Sequence, residues 1–266
     1  KVGIFTSLAP THGANFDHLK KQRPDQSLED LILNEKSKLL KAIPKDGLTL
    51  INYDNPKILS LNPLLKSKTI PFGIHKKPAI YASDIKSTSS GTTFSIHYKN
   101  FHYKAKLNHF LAGESIISTI LSVIGAAYIK ENISFKQSIL AINQSQLPPG
   151  RMSVFNGIKN TTLIDSSYNS SPTSLNEALT ILGRFKSKTR IAILGDMREI
   201  GSEEKSAHEQ MVNITRKCCD HVIVIGKAMN QYFYPKYVNQ YGSKTISKYM
   251  NTKQAIPDIT NNIKPD

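Results

Sequence analysis

The densest group of side chains able to do chemistry is the run D-S-S-Y-N-S-S-P, from Asp165 to Pro172. A carboxylate, hydroxyls, a phenol and an amide in one short loop offer many hydrogen-bond donors and acceptors. A second polar group, G-D-M-R-E-I-G, runs from Gly195 to Gly201. Two isolated residues could join them: His12, in the loop L-A-P-T-H-G-A-N-F, and Arg151, just after Q-L-P-P-G. Each also has a purely structural reading. A single loop histidine is commonly just hydrogen-bonded, and a single arginine at a strand start is commonly solvated. The Asp165 loop serves equally well as an Asx-type turn at a strand exit.

The elements that must position these residues follow from periodicity. Thr161–Ile164 is a β-prone run ending at Asp165. Thr173 to Leu182 places Leu175, Ala178, Leu179 and Leu182 on one helical face, with Gly183 as its stop. Arg190–Leu194 is a short apolar run of the kind buried on both faces of a sheet. The stretch therefore reads as a βαβ unit, with polar residues past the carboxyl ends of two strands, where open α/β sheets bind ligands. Upstream, Lys1–Thr6 and Leu48–Asn52 are expected strands, and N-Y-D-N-P is a turn containing Asp54 and Pro56. Between these strands Ser27 caps a helix to Ile43, with Leu28, Leu31, Ile32, Leu39 and Leu40 on its apolar face. Asp17 to Gln26 is charged and is expected at the surface.

Further strands are expected at Thr69–Ile74, Ala79–Tyr81, Thr92–Tyr98 and Phe101–Leu107, with Asn100 in the last hairpin turn. Gly113–Ile129 reads as a buried helix and Ser134–Gln144 as an amphipathic one. Pro148, Pro149 and Gly150 make a joint between two domains. Glu203–Lys217 is a helix with acidic residues at its start, His221–Gly226 a buried strand, and Thr252–Ile263 a last helix. A chain that opens inside a strand of buried type is expected to be a fragment, and its end reads the same way.

At 266 residues, 39% hydrophobic and 21% charged, the chain is of globular composition and can bury a sizeable core. The net charge of +15 is scattered over Lys20-Lys21, Lys36–Lys41, Lys76-Lys77 and Lys186–Lys188, with no aromatic-interleaved stripe. That pattern argues for a solvated surface that partly serves phosphorylated ligands, against a nucleic-acid interface. Cys218 and Cys219 are adjacent, which excludes a spaced disulfide framework or a zinc set and suggests partly buried thiols in a reducing compartment. The most apolar helix, Ile116–Tyr128, is too short to span a bilayer, so a cytoplasmic protein is expected.

D-S-S-Y-N-S-S-P-T-S-L followed by R-I-A-I-L-G-D-M-R-E-I-G resembles the start of the C-terminal domain of the Mur ligases. The match is best to the branch that adds D-alanyl-D-alanine to UDP-muramoyl-tripeptide. The resemblance covers nearly the whole chain. It implies an α/β fold: residues 1–148 as the later part of the central ATPase domain, and 149–266 as most of a Rossmann-like C-terminal ligase domain. It also implies a reaction in which ATP activates a carboxylate as an acyl phosphate and an amine attacks it.

Magnesium and cationic groups then offset the like charges. By resemblance, His12 and a carbamylated Lys36 (from N-E-K-S-K-L-L-K-A-I-P) hold magnesium, and Arg151 meets nucleotide phosphate. These three are the implied catalytic residues. Asp165 with Ser166, Tyr168, Asn52 and Thr119 are implied in ATP binding, and Asn169 and Ser171 in binding the dipeptide. The implied partners are UDP-N-acetylmuramoyl-peptide and D-alanyl-D-alanine, with no nucleic acid, no membrane span and a monomeric state.

Three departures stand out. G-E-S-I-I-S-T-I-L replaces the family's G-x-H-N-x-x-N, leaving Ser118 or Thr119 where the adenine-reading asparagine belongs. D-S-S replaces D-D-S. No G-x-x-x-x-G-K-[ST] phosphate loop occurs in these residues. A sibling ligase adding another amino acid, or a non-catalytic Mur-like binding protein, are the rival readings.

Overall fold

The computed structural model describes residues 1–9, 13–88, 91–108, 111–145, 148–186 and 189–263. They form two compact units. The first holds the described residues up to 145, apart from a short stretch around the 3-10 turn Gly13–Phe16, which goes with the second.

A six-stranded sheet organises the first unit. Strands β1 (Val2–Phe5), β2 (Leu48–Asn52) and β3 (Lys68–Gly73) run parallel. Strand β4 (Ile80–Thr88) joins β3 through Phe72↔Ile80. It then opens an antiparallel meander with β5 (Gly91–Tyr98) and β6 (Phe101–Leu107). Leu48, Thr49, Leu50 and Ile51 are all buried, as a parallel strand covered on both faces requires.

Helices α1 (Asp17–Gln22), α2 (Leu28–Lys41), α3 (Pro56–Leu59), α4 (Glu114–Glu131) and α5 (Phe135–Gln144) complete the unit. Ser27 and Asp30 form a capping box that starts α2. The buried face of α2 is Leu31, Ile32, Leu33, Ser37 and Leu40, whereas Leu39 is 67% exposed. The expected apolar face was thus displaced: Leu33 takes the place assigned to Leu39.

Strand β4 is much longer than the Ala79–Tyr81 expected. Its second half is polar and its alternation is broken by a bulge between Ser83 and Lys86, where Asp84 takes φ 56°. In α4, a Cβ on Gly125 would stand 2.3 Å from Ile80 Cδ1, so this glycine lets the helix lie close on β4. Among the described residues no helix is long and apolar enough to cross a membrane.

The second unit contains an antiparallel pair, β7 (Ser153–Asn156) with β8 (Thr162–Asp165). Then come α6 (Pro172–Arg184), β9 (Ile191–Gly195), α7 (Glu204–Cys218) and β10 (His221–Ile225). After these follow α8 (Tyr234–Tyr241), β11 (Ile246–Tyr249) and α9 (Thr252–Asn262). Strands β9, β10 and β11 form a parallel sheet in the order β11-β10-β9. Leu179, Leu194, Val212, Val222, Val224, Met229, Phe233 and Tyr237 make its core.

Three expectations need correction here, and two elements went unforeseen. The βαβ order is present, but β8 pairs with β7 in its own sheet instead of joining β9. Strand β9 is not buried on both faces, since Ile193 is 44% exposed. Gly183 lies inside α6, where a Cβ would come 3.0 Å from Cys218 Sγ, so it marks a close packing contact and not the helix end. Lastly, α8 and β11 carry too little apolar periodicity to have been anticipated. A π turn, Met229–Phe233, precedes α8, with the Tyr234 N–H bonded to the Met229 carbonyl. Pro235 explains it: proline has no N–H for the Gln231 carbonyl and crowds that group, so the turn widens.

Among the described residues both cysteines are free and buried at the end of α7, as expected. Burial pushes the Cys219 thiol up to about 12, with Cys218 adding to it.

Candidate active site

In the first unit the polar residues gather beyond the carboxyl ends of β1 and β2. Asn52 ends β2 and donates from Nδ2 to the Thr6 carbonyl at 2.7 Å, tying the two strand ends together. The same nitrogen lies 3.4 Å from Ser118 Oγ, and Asn52 Oδ1 accepts the Asp54 N–H at 2.9 Å. The amide proposed for nucleotide binding is therefore heavily engaged within the fold.

Ser118 is buried beside Asn52, while Thr119 is exposed and gives its hydroxyl to the Ser115 carbonyl one helical turn back. Of the two hydroxyls standing where an asparagine was expected, Ser118 is the one placed at the strand ends. Lys36 is exposed on α2, and its neighbour Lys38 is paired with Glu35 at 2.6 Å. His12 lies outside the described residues.

Asp54, which the sequence marked only as a turn residue, makes a latch. Its carboxylate accepts the backbone N–H groups of Ile74 at 2.6 Å, His75 at 3.2 Å and Lys76 at 3.3 Å. This fixes the loop after β3 beside the loop after β2. A side chain on Gly73 would collide with that carboxylate, its Cβ 2.8 Å from Asp54 Oδ1. The glycine after an apolar strand was the available signal.

In the second unit the joint and the D-S-S-Y-N loop are built as one piece. Gly150 has φ 75°, and a Cβ there would stand 2.7 Å from the Tyr168 backbone nitrogen, so only glycine fits. The Tyr168 N–H bonds the Gly150 carbonyl at 3.1 Å. Directly after it, the Arg151 guanidinium sits over the Tyr168 ring, 4.4 Å from the centroid. Tyr168 is itself 67% exposed, so the stacked pair faces solvent with its hydrogen-bonding edge available.

Asp165 Oδ1 accepts the Ser167 N–H at 3.0 Å, the Asx turn foreseen as the structural reading. Its other oxygen keeps its acceptor capacity. Ser171 caps α6: its hydroxyl accepts from the Ser174 N–H at 3.3 Å, which occupies a group assigned to substrate. Ser166 is half-buried and Asn169 exposed in the same loop. The structure thus brings Arg151, Asp165, Ser166, Tyr168 and Asn169 to one region of this unit.

The G-D-M-R-E-I-G stretch is held by two contacts. Asp196 Oδ1 accepts the Met229 N–H at 2.8 Å, where the π turn begins. A Cβ on Gly226, at φ 117°, would stand 2.5 Å from the same carboxylate. His208 is fully buried; its Nε2 accepts the Met197 N–H at 3.1 Å, so Nδ1 carries the hydrogen and donates to the Glu204 carbonyl at 2.7 Å. Both ring nitrogens are used, which gives His208 a structural role.

Comparison with known proteins bears on both units. Residues 1–127 match the family profile described as the Mur ligase middle domain, and residues 150–266 the one described as the Mur ligase glutamate ligase domain. The UDP-N-acetylmuramoyl-tripeptide–D-alanyl-D-alanine ligase of Buchnera aphidicola subsp. Baizongia pistaciae is 30% identical over 200 residues, 74% of this chain and 42% of the relative. A UDP-N-acetylmuramoyl-L-alanyl-D-glutamate–2,6-diaminopimelate ligase of Alkaliphilus oremlandii is 25% identical over 234 residues, 84% of this chain and 42% of the relative. Among solved structures, MurF from Acinetobacter baumannii superposes with a TM-score of 0.81 at 18% identity, over 98% of this chain and 52% of that one. The chain therefore spans about half the length of the proteins it matches. With Mur ligase domain profiles matching residues 1–127 and 150–266, the chain belongs to the Mur ligase family.

Proposed function

We propose that the chain serves ATP-dependent amide ligation in the cytoplasm, joining D-alanyl-D-alanine to UDP-N-acetylmuramoyl-tripeptide in peptidoglycan precursor synthesis. Residues 1–148 would act as the central domain and 149–266 as the C-terminal ligase domain. The observation that carries this reading is the likeness to the Buchnera dipeptide-adding ligase. The long D-S-S-Y-N to G-D-M-R-E-I-G motif supports it.

In this proposal ATP supplies the phosphoryl group that turns the tripeptide carboxylate into an acyl phosphate. Arg151, held over Tyr168, directs its guanidinium hydrogen bonds to phosphate oxygens and offsets their charge. The second oxygen of Asp165 and the Ser166 hydroxyl receive the ribose, and Asn169 offers its amide to the incoming dipeptide. Ser118, beside Asn52, takes the adenine-facing position with a single hydroxyl, which can satisfy only part of the base's edge. Magnesium would be held by His12 and by Lys36 as its carbamate, whose oxygen is the hard anionic ligand magnesium prefers. Among the described residues no three of His, Cys, Asp and Glu converge on a metal position.

The test uses the full-length protein with ATP, magnesium and UDP-N-acetylmuramoyl-tripeptide. Phosphate release that depends on D-alanyl-D-alanine is the expected result. Release driven by 2,6-diaminopimelate on the dipeptide precursor would favour the second reading, a diaminopimelate-adding ligase, which the Alkaliphilus likeness supports. Binding of precursor with no ATP turnover would overturn both in favour of a non-catalytic protein.

A further inference from the structure

The open face of the β4–β5–β6 meander carries a column of rings that the ligase reading does not use. Tyr81, His97 and His102 are neighbours in register across the three strands. The Tyr81 and His97 rings are 4.3 Å apart and within 6° of parallel, and His97 and His102 are 4.7 Å apart and within 5°. His102 is exposed, and His97 is half-buried beneath it.

The protonation pattern of His97 follows from its partners. Ser83 Oγ donates to Asp84 Oδ2 at 2.8 Å. A hydroxyl has one hydrogen, so the 2.9 Å contact between Ser83 Oγ and His97 Nε2 must run from Nε2–H to the serine oxygen. Nε2 of His97 therefore carries a hydrogen, which leaves Nδ1 as the nitrogen a metal could take. The carboxylate that completes this relay stands at the bulge of β4, where Asp84 has φ 56° and the register slips between Ser83 and Lys86. The same relay excludes a nucleophilic role for Ser83, which gives its proton to the carboxylate and not to the imidazole.

A carboxylate that orients a neutral imidazole through its far nitrogen is the support found behind histidines that bind metals. A second imidazole, His102, lies parallel to it across the strands; stacked rings aim their lone pairs along parallel planes, so the exposed His102 ring turns out of the stack to share an ion. We propose that His97 and His102 form a two-histidine site for a borderline divalent transition metal, such as Cu2+, Ni2+ or Zn2+, with water in the remaining positions. Asp84 and Ser83 are positioning residues for it.

The experiment titrates the purified chain with Cu2+ at neutral pH, followed by calorimetry and by electron paramagnetic resonance. Wild type is expected to bind with imidazole nitrogens coordinated. His102→Gln, at an exposed position, should keep its circular dichroism and melting temperature yet lose affinity by about tenfold or more. Ser83→Ala should weaken binding by about tenfold through loss of the relay, whereas His75→Gln, on a different loop, should bind as wild type does. Equal Cu2+ affinity in wild type and His102→Gln, or a spectrum without imidazole nitrogen, would overturn the site and leave the rings as a packing column.

Discussion

At the scale of the residue, Arg151 and Tyr168 act as a pair whose partnership the sequence conceals, because many residues lie between them. If Arg151 meets phosphate, Arg151→Ala in the full-length enzyme should lower turnover by about a hundredfold or more, as loss of a charged donor to developing charge does. Tyr168→Phe keeps the ring under the guanidinium and should stay close to wild type, while Tyr168→Ala should raise the KM for ATP. Steady-state kinetics on the three variants decide this, and equal loss in Phe and Ala would point to the phenol instead.

A second residue-scale expectation concerns acid. Lys57 lies 2.7 Å from Asp30 and 3.2 Å from Glu29, and with Ser27 it holds the Asp30 carboxyl down at about 2, from a usual 3.8. A lowered folded-state value stabilises the fold above the ordinary carboxyl range, and that contribution is lost as pH falls through it toward about 2. Asp30→Asn should therefore flatten the acid limb of a melting temperature versus pH curve between roughly pH 4 and pH 2. At this scale the sequence displayed side chains able to bind, but not which were already engaged. Asn52, Ser171 and Thr119 looked available and are bonded within the fold; Asp54 looked like turn punctuation and holds three backbone groups.

At the scale of the element, two helix glycines are there for their neighbours. Alanine at Gly125 would gain about 1 kcal/mol in helix propensity. Its methyl would press into Ile80 and Leu50, both fully buried, and overpacking of a well-filled core costs about 1–3 kcal/mol. Gly125→Ala is expected to lower denaturant stability despite the better helix former; a rise would show that α4 can shift outward. His208→Ala in α7 should cost about 1–3 kcal/mol by leaving the buried Met197 N–H without an acceptor.

The thiols beside Gly183 supply a simpler check. Cys219, pushed up to about 12, should resist a thiol reagent at about pH 8 until the chain is unfolded. Elements with a full local signature were legible: Ser27 as N-cap announced α2, and the unbroken apolar run announced β10. Those shaped by partners were not. The polar half of β4 is held by its meander, β8 takes a partner no periodicity could name, and α8 follows a π turn set by a proline in its own first turn.

At the scale of the whole molecule, each unit has its own sheet and core, so unfolding is not expected to be a single two-state event. Calorimetry should resolve two transitions. Gly125→Ala should move one and His208→Ala the other, and a shift of both by either variant would show that the units melt together. The broad α/β class was readable because strands and helices alternate. Sheet membership was not, since pairing between distant strands leaves no mark in either one alone.

The six-stranded sheet changes character at β4, and that seam has a consequence in time. Strands β4, β5 and β6 are neighbours in the chain and close through hairpins, which form within microseconds. Strand β1 meets β2 only after α1 and α2 have been traversed, and such non-local parallel pairing is slow because the entropy of the intervening chain must be lost first. During refolding, pulsed hydrogen exchange should find the amides of β5 and β6 protected before those of β1. In a chain emerging from the ribosome the order of synthesis is the reverse, with β1 made first. The strand it pairs with here, β2, then follows only after two helices have been made.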